Sequence, residues 1–423
     1  MLVTVVIVWT QVDRYLDPVG EKTVFVMQPG AADFVAPFEA ARALLMQVNP
    51  YWNDIPELKD PFTDVRGAFV ATSSNGRTTT NTYPPSLFVL HVPFALVTSD
   101  WREAGRVMFK LNIAILFLLA WLAWWFVVRI GEVTAEDRAS SMILVPLLFF
   151  LLAANGESSF GLERGQSDFV AAALCWGALA SLLMKRIAVS SFLATTVLLT
   201  KGYSLLFTGG LLLLMATRGR WVGATAGAIL ALFLFLVPVA EYLPDAKILV
   251  VMRAQVFTAD WYNHSFANVF WNISPQLVTS GRWGMIGVAC LATLISWGRL
   301  RKAHANGPLS QAALWGVVFA ICSLATVIGG ANVSRPYNLV YLLPGLLVLF
   351  TQIRAFTEAC GLRLSARHVM AGSTFIAGGC LFALEPLNAT LTLPGIGLVL
   401  VILTITASLL VGMVQEVATA QGE

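Results

Sequence analysis

The sequence predicts an all-α integral membrane protein that crosses the bilayer many times. Hydrophobic residues make up 57% of its 423 residues and charged residues 12%, whereas a soluble chain needs roughly a quarter of its residues charged. Apolar runs of about 17–22 residues recur between short polar loops, and about 20 such residues cross the hydrocarbon core as a helix. Basic residues gather in alternate loops, as the positive-inside rule requires of cytoplasmic ones.

Apolar segments fall at 107–128, 139–154, 167–184, 188–200, 203–216, 221–243, 281–298, 311–329, 337–353, 367–385 and 393–414. The stub 1–9 is too short to span. It reads as a truncated first helix or as a start that lies further upstream, and without a basic leader or a cleavage site it does not read as a signal peptide. Arg129 and Arg138, Lys185 and Arg186, Arg218 and Arg220, Arg299 to Lys302, and Arg354, Arg363 and Arg367 mark the cytoplasmic loops. The opposite face then carries the long region at about 10–106, "NGESSFGLERGQSD", Lys201, the 244–280 loop and "GGANVSRPYN". This parity requires "YPPSLFVLHVPFALV" (83–97) to be non-spanning or re-entrant, in keeping with Pro84, Pro85 and Pro93.

The near-neutral charge of +3 gives no sign of a nucleic-acid partner. Cys175, Cys290, Cys322, Cys360 and Cys380 have no paired spacing, so neither a disulfide framework nor a zinc site is implied. His91, His264, His304 and His368 are scattered, no metal-ligand spacing appears, and no cofactor is expected.

Polar clusters on the second face are the candidates for chemistry. Asp33 opens "DFVAPFEAARALL", whose Phe34, Val35, Phe38, Ala41 and Leu45 share one helical face, the pattern of a juxtamembrane helix lying on the bilayer. Asp33 stands at the N-cap position, so capping alone accounts for it unless it has a chemical role. "TYPPSLF" contains Tyr83, and "GLERGQSDF" sets Glu163, Arg164, Gln166 and Asp168 at the mouth of a helix. Lys201-Gly202-Tyr203 separates two runs too short to span at 1.5 Å per residue. Such a lysine either faces a cavity, where a bound anion compensates it, or snorkels to the interface. "DWYNHSFANVFW" places Asn263, His264 and Ser265 among aromatic residues, and Arg335 stands at a further helix mouth.

In order, these are an Asp33-Phe34 pair, a helix closing on Asn49-Pro50-Tyr51, then Tyr83-Pro84-Pro85, Gly165-Gln166 opening a helix, the membrane lysine Lys201, and Asn263-His264-Ser265. This series resembles glycosyltransferase family 87 over about residues 30 to 345. It departs from the family pattern at Asp168, at His264 and in "SRPYN". The resemblance implies a polytopic GT-C fold with about 11–13 transmembrane helices and extracytoplasmic juxtamembrane helices. A catalytic module at 1–345 would precede accessory helices at 346–423. It further implies an inverting transferase that moves a sugar, mannose or arabinose, from a polyprenyl-phosphate donor to a hydroxyl of a glycolipid or glycan on the extracytoplasmic face. Asp33 would be the base. Lys201, Arg164 and Arg335, in falling order, would hold the leaving phosphate, and the remaining named residues would bind substrate. A transporter or flippase of lipid-linked saccharides, a ligase and a non-catalytic scaffold are the alternatives. The sequence lacks the internal repeats of many transporters and the large late arginine-rich loop expected of a ligase.

Overall fold

The computed structural model describes residues 32–52, 55–58, 71–72, 78–79, 83–131, 141–149, 162, 165–217, 219–246, 265–331, 336–361 and 393–421. The helices in chain order are α1 (Ala32–Leu45), α2 (Pro85–Val97), α3 (Trp101–Gly131), α4 (141–149), α5 (Asp168–Leu183), α6 (Ile187–Thr200) and α7 (Leu205–Ala216). They continue as α8 (Trp221–Phe235), α9 (Phe266–Ile273), α10 (Val278–Asn306), α11 (Leu309–Gly330), α12 (Leu343–Thr351), α13 (Ile353–Ala359) and α14 (Leu393–Gln421). A two-stranded antiparallel ladder pairs Ala71–Thr72 with Thr78–Thr79. Among the described residues, four helices are long and apolar enough to cross a membrane, or five if a bent pair counts as one span. These helices make the protein an all-α, multi-pass membrane protein. The stub 1–9 and the 367–385 segment lie outside the described residues.

α11 is the central column. It is apolar on every side, as a helix surrounded by others must be, and 94% of its most apolar stretch is buried, against 22% for α10. α10 and α11 form a hairpin through Gly307 and Pro308. Arg282 at the start of α10 donates twice to the Gly330 carbonyl at the end of α11, at 2.6 and 3.0 Å, satisfying a carbonyl that the helix leaves open. α14 joins the same core through Leu398, Val401, Ile402, Ile405 and Leu409.

The hairpin of α5 and α6 fixes the site. The two helices have 16 and 14 residues and are joined by a turn at Met184–Arg186. Lys185 takes a left-handed φ of 63° there. Antiparallel helices of nearly equal length bring the first residue of one beside the residue after the last of the other, which are Asp168 and Lys201. α3 runs parallel to α5. Asn112 donates to the Gln166 carbonyl at 2.9 Å, and further along Phe126 meets Trp176 edge-on at 5.6 Å. Arg129, Lys185 and Arg186 therefore share the far end. Gly223 approaches Ile187, Thr217 shares a cleft with Arg301, and Arg299 donates to the Ala359 carbonyl. Arg129, Lys185, Arg186, Arg299 and Arg301 thus share one end of the bundle, whereas Arg102, Arg106, Lys110 and Arg282 lie toward the other.

The 221–243 segment, expected as one run, is broken. α8 ends at Phe235, and Val237–Ala246 continues at 55° to it. Pro238 supplies no N–H and opens the 3₁₀ turn that makes the bend. α2, expected to be non-spanning, is a 13-residue helix preceded by Pro84, with Pro85 in its first turn and Pro93 inside.

Glycines set how closely α8 approaches α6. A Cβ on Gly227 would lie 2.1 Å from the Ala188 carbonyl oxygen, whereas one on Gly209 would meet nothing within 4 Å. Gly227→Ala should therefore destabilise the protein by about 1–3 kcal/mol, while Gly209→Ala leaves stability unchanged or slightly raised. Thermal unfolding of the purified variants in detergent measures both, and equal midpoints would show that the approach is not tight.

Candidate functional site

The end opposite Arg129, Lys185, Arg186 and Arg301 carries a buried polar cluster. Lys201 Nζ lies 2.9 Å from Asp168 Oδ2, with both side chains buried. Each charge sits where a helix dipole favours it, Asp168 in the first turn of α5 and Lys201 at the C-cap of α6. Asn338, on the 3₁₀ turn Pro336–Tyr341, donates to the other Asp168 oxygen at 3.1 Å. The Lys201 ammonium also stands 5.5 Å from the centre of the Tyr83 ring, a cation–π distance. Sequence reasoning expected a bound anion or the interface to satisfy Lys201. Its partner is instead a carboxylate of the protein, so the lysine is compensated before any ligand arrives.

Two residues before Asp168, Gln166 reaches the other helix of the site. Gly165 takes φ 67°, the left-handed conformation that glycine adopts without strain. The turn it makes presents the buried Gln166, whose amide donates to Asp33 Oδ2. Asp33 is partly exposed. α1 begins at Ala32, so Asp33 lies inside the first turn rather than at the expected N-cap. Pro37 has no N–H to give to the Asp33 carbonyl four residues earlier, which loosens this first turn.

The apolar face of α1 also differs from expectation. Phe34 and Phe38 are fully buried, and they join Ala104 and Met108 of α3 in one cluster with Phe94 of α2 packed against it. Val35 and Ala41 are buried too, while Leu45 is exposed. The face that reads as bilayer-directed is covered by protein because α2 and the start of α3 fold over it. His91 is buried on α2, with its ring 5.4 Å from Phe34 and its Nδ1 2.9 Å from the Leu87 carbonyl.

The Asn49-Pro50-Tyr51-Trp52 stretch clasps three elements together. Asn49 Oδ1 accepts from the main chain of Tyr51 and Trp52 at 2.9 and 3.1 Å, and its amide donates to Asp245 at 3.0 Å. This ties α1 to the bent end of α8. The Tyr51 ring packs at a tilt against Phe88, and its hydroxyl donates to the Tyr83 carbonyl at 2.7 Å. Burial, and then the nearby Asp245, push the Tyr51 phenol well above its ordinary range, so it remains a donor. Ser86 donates to the Leu199 carbonyl, holding α2 against the break at Lys201.

Asp33, Tyr83, Gln166, Asp168 and Lys201 are thus brought to one end of the bundle. Tyr203 packs edge-on to Tyr341 at 6.3 Å beside them. Ser265 caps α9, accepting from the Asn268 main chain at 3.3 Å, while Phe266 meets Gly329 near the end of α11. Glu163, Arg164, Asn263, His264 and Arg335 lie outside the described residues. Sequence reasoning missed Asn112 and Asn338. Each is a lone amide in or beside an apolar run, which is costly in a membrane without a partner. Among the described residues no group of three or more His, Cys, Asp or Glu gathers as a metal would require. In comparisons with known proteins, no family model, no curated protein and no solved structure matches the chain.

Removing one member of a buried ion pair strands the other, at a cost of about 3–5 kcal/mol. Lys201→Met and Asp168→Asn should each lose about that much stability. The double variant should lose less than the sum, as coupled neighbours do. Unfolding of the four proteins in one detergent closes the cycle; additive losses would mean that the pair is not coupled.

Proposed function

We propose that the protein is an inverting glycosyltransferase of GT-C type, similar to glycosyltransferase family 87. On this reading it transfers a sugar, mannose or arabinose, from a polyprenyl-phosphate donor to a hydroxyl on the extracytoplasmic side. The observation that carries this reading is the pairing of the partly exposed Asp33 with Gln166, two residues from the buried Asp168–Lys201 pair. A partly exposed carboxylate and a cation at the same end of the bundle are what transfer from a lipid phosphate needs.

The chemistry is a direct displacement. The acceptor oxygen attacks the anomeric carbon while the bond from that carbon to the phosphate oxygen breaks. The phosphate leaves with the electron pair, and the acceptor proton passes to the Asp33 carboxylate. The Gln166 amide holds that carboxylate in one orientation, and a positioned base of this kind contributes about 10²–10⁴-fold. The leaving group is already an anion, so it needs positive charge rather than an acid. Lys201 has three N–H bonds; Asp168 takes one and orients the ammonium, and a remaining one is directed to the phosphate. Arg164 and Arg335 are proposed as further cations. Attack from the face opposite the phosphate inverts the anomeric centre, by analogy with single-displacement glycosidases.

A flippase of lipid-linked saccharides is the second reading, favoured by the break between α8 and Val237–Ala246, since discontinuous helices recur in transporters. The two readings separate on one variant. Asp33→Asn should bind a polyprenyl-phosphate sugar normally and lose about 10²–10⁴-fold in transfer rate, with an unchanged unfolding midpoint. Near-normal transfer would remove Asp33 as base. Movement of intact donor across liposomes, without sugar release by the wild type, would replace the enzyme with a flippase.

A further inference from the structure

We propose that the basic end of the bundle, opposite Asp33, contains a binding site for an anionic phospholipid of the leaflet on that side. Thr217 after α7 and Trp297, Gly298, Arg301, Lys302 and Ala305 of α10 line a cleft of about 480 Å³. The Trp297 indole donates to the Gly210 carbonyl at 2.9 Å, fastening α10 to α7 beside the cleft. The Arg301 guanidinium lies 5.8 Å from the centre of the Trp297 ring, which gives that cation a preferred seat.

An apolar lane leads into the cleft. Leu291, Leu294, Gly298, Arg301 and Ala305 recur every three or four residues, so they share one face of α10. All are exposed, Leu294 by 67%. A side chain on Gly298 would meet nothing within 4 Å, so the surface is open there. On α7, Gly209 and Leu213 are exposed and lead to Thr217 at intervals of four.

This order of chemistry fits one class of molecule. An acyl chain lies along the leucines, and a phosphate one helical turn further on meets Arg301 and Lys302. Arginine binds phosphate with two parallel N–H bonds, and basic pockets between spanning helices take anionic headgroups. A zwitterionic lipid brings its own cation and gains less, and a soluble phosphate has nothing to place on the leucines. The proposal stands independently of sugar transfer, because the cleft is at the other end of the bundle.

Titrations followed by native mass spectrometry of the full chain in detergent test it. They would use phosphatidylglycerol, phosphatidylcholine and glycerol 3-phosphate. Wild type should retain phosphatidylglycerol in preference to both others. Arg301→Gln/Lys302→Gln should weaken it about tenfold or more, from two lost surface charges. Gly298→Phe, which fills the cleft and keeps both charges, should weaken it too. Arg102→Gln/Lys110→Gln, exposed on α3 outside the cleft, should change nothing. Equal retention of phosphatidylcholine, equally tight glycerol 3-phosphate, or undiminished phosphatidylglycerol binding by the first double variant would overturn the proposal.

Discussion

The salt bridge between Lys201 and Asp168 is the constraint around which the site is built. Two opposite charges buried at 2.9 Å in a membrane protein are tolerated only when geometry and extra hydrogen bonds offset their desolvation. Here the offsets come from three directions. The two helix ends supply favourable dipoles, Asn338 fills the second carboxylate oxygen, and the Tyr83 ring faces the ammonium. Each partner belongs to a different element, so satisfying the pair also fixes α2, α5, α6 and the Pro336–Tyr341 turn relative to one another.

Asp33 inherits that order. Its carboxylate is held by Gln166, whose carbonyl is in turn held by Asn112 of α3, two residues from the fixed Asp168. The clasp at Asn49 and Tyr51 anchors the other end of α1 to α2 and to the bent end of α8. α1 is therefore tied at both ends and buried along its middle. A carboxylate so constrained, yet partly exposed, suits the role of a base that must be present before its substrate. The proposed phosphate-binding function of Lys201 is changed by the same geometry. The lysine arrives neutralised, so the phosphate competes for its remaining N–H bonds rather than for an unpaired charge.

Much of the helical plan was legible. Runs at 203–216 and 311–329 correspond closely to α7 and α11, because apolar length alone delimits a helix in a membrane. α3 extends beyond its apolar run at 107–128, since Arg102, Glu103 and Arg106 continue the helix past the hydrophobic window. The bend after Phe235 was announced by Pro238 but read through, because hydropathy averages over a single proline. Asp33, Tyr83, Gln166, Asp168 and Lys201 were legible as candidates from their order along the chain. Their pairing was not, because it depends on α5 and α6 being matched in length across a tight turn. The burial of Phe34 and Phe38 against α2 and α3 was also invisible. An amphipathic face looks the same whether lipid or protein covers it.

The central claim is that the end carrying Asp33 and the Lys201–Asp168 pair is where a lipid phosphate binds for reaction. The most direct measurement is an experimental structure of the wild-type protein with a polyprenyl monophosphate bound. The expected result is the phosphate in contact with Lys201, on its Tyr83 side, with the Asp33 carboxylate facing the same space. A phosphate bound only at the opposite end, among Arg301 and Lys302, or a Lys201 sealed from it by an unbroken Asp168 and Tyr83 wall, would contradict the claim.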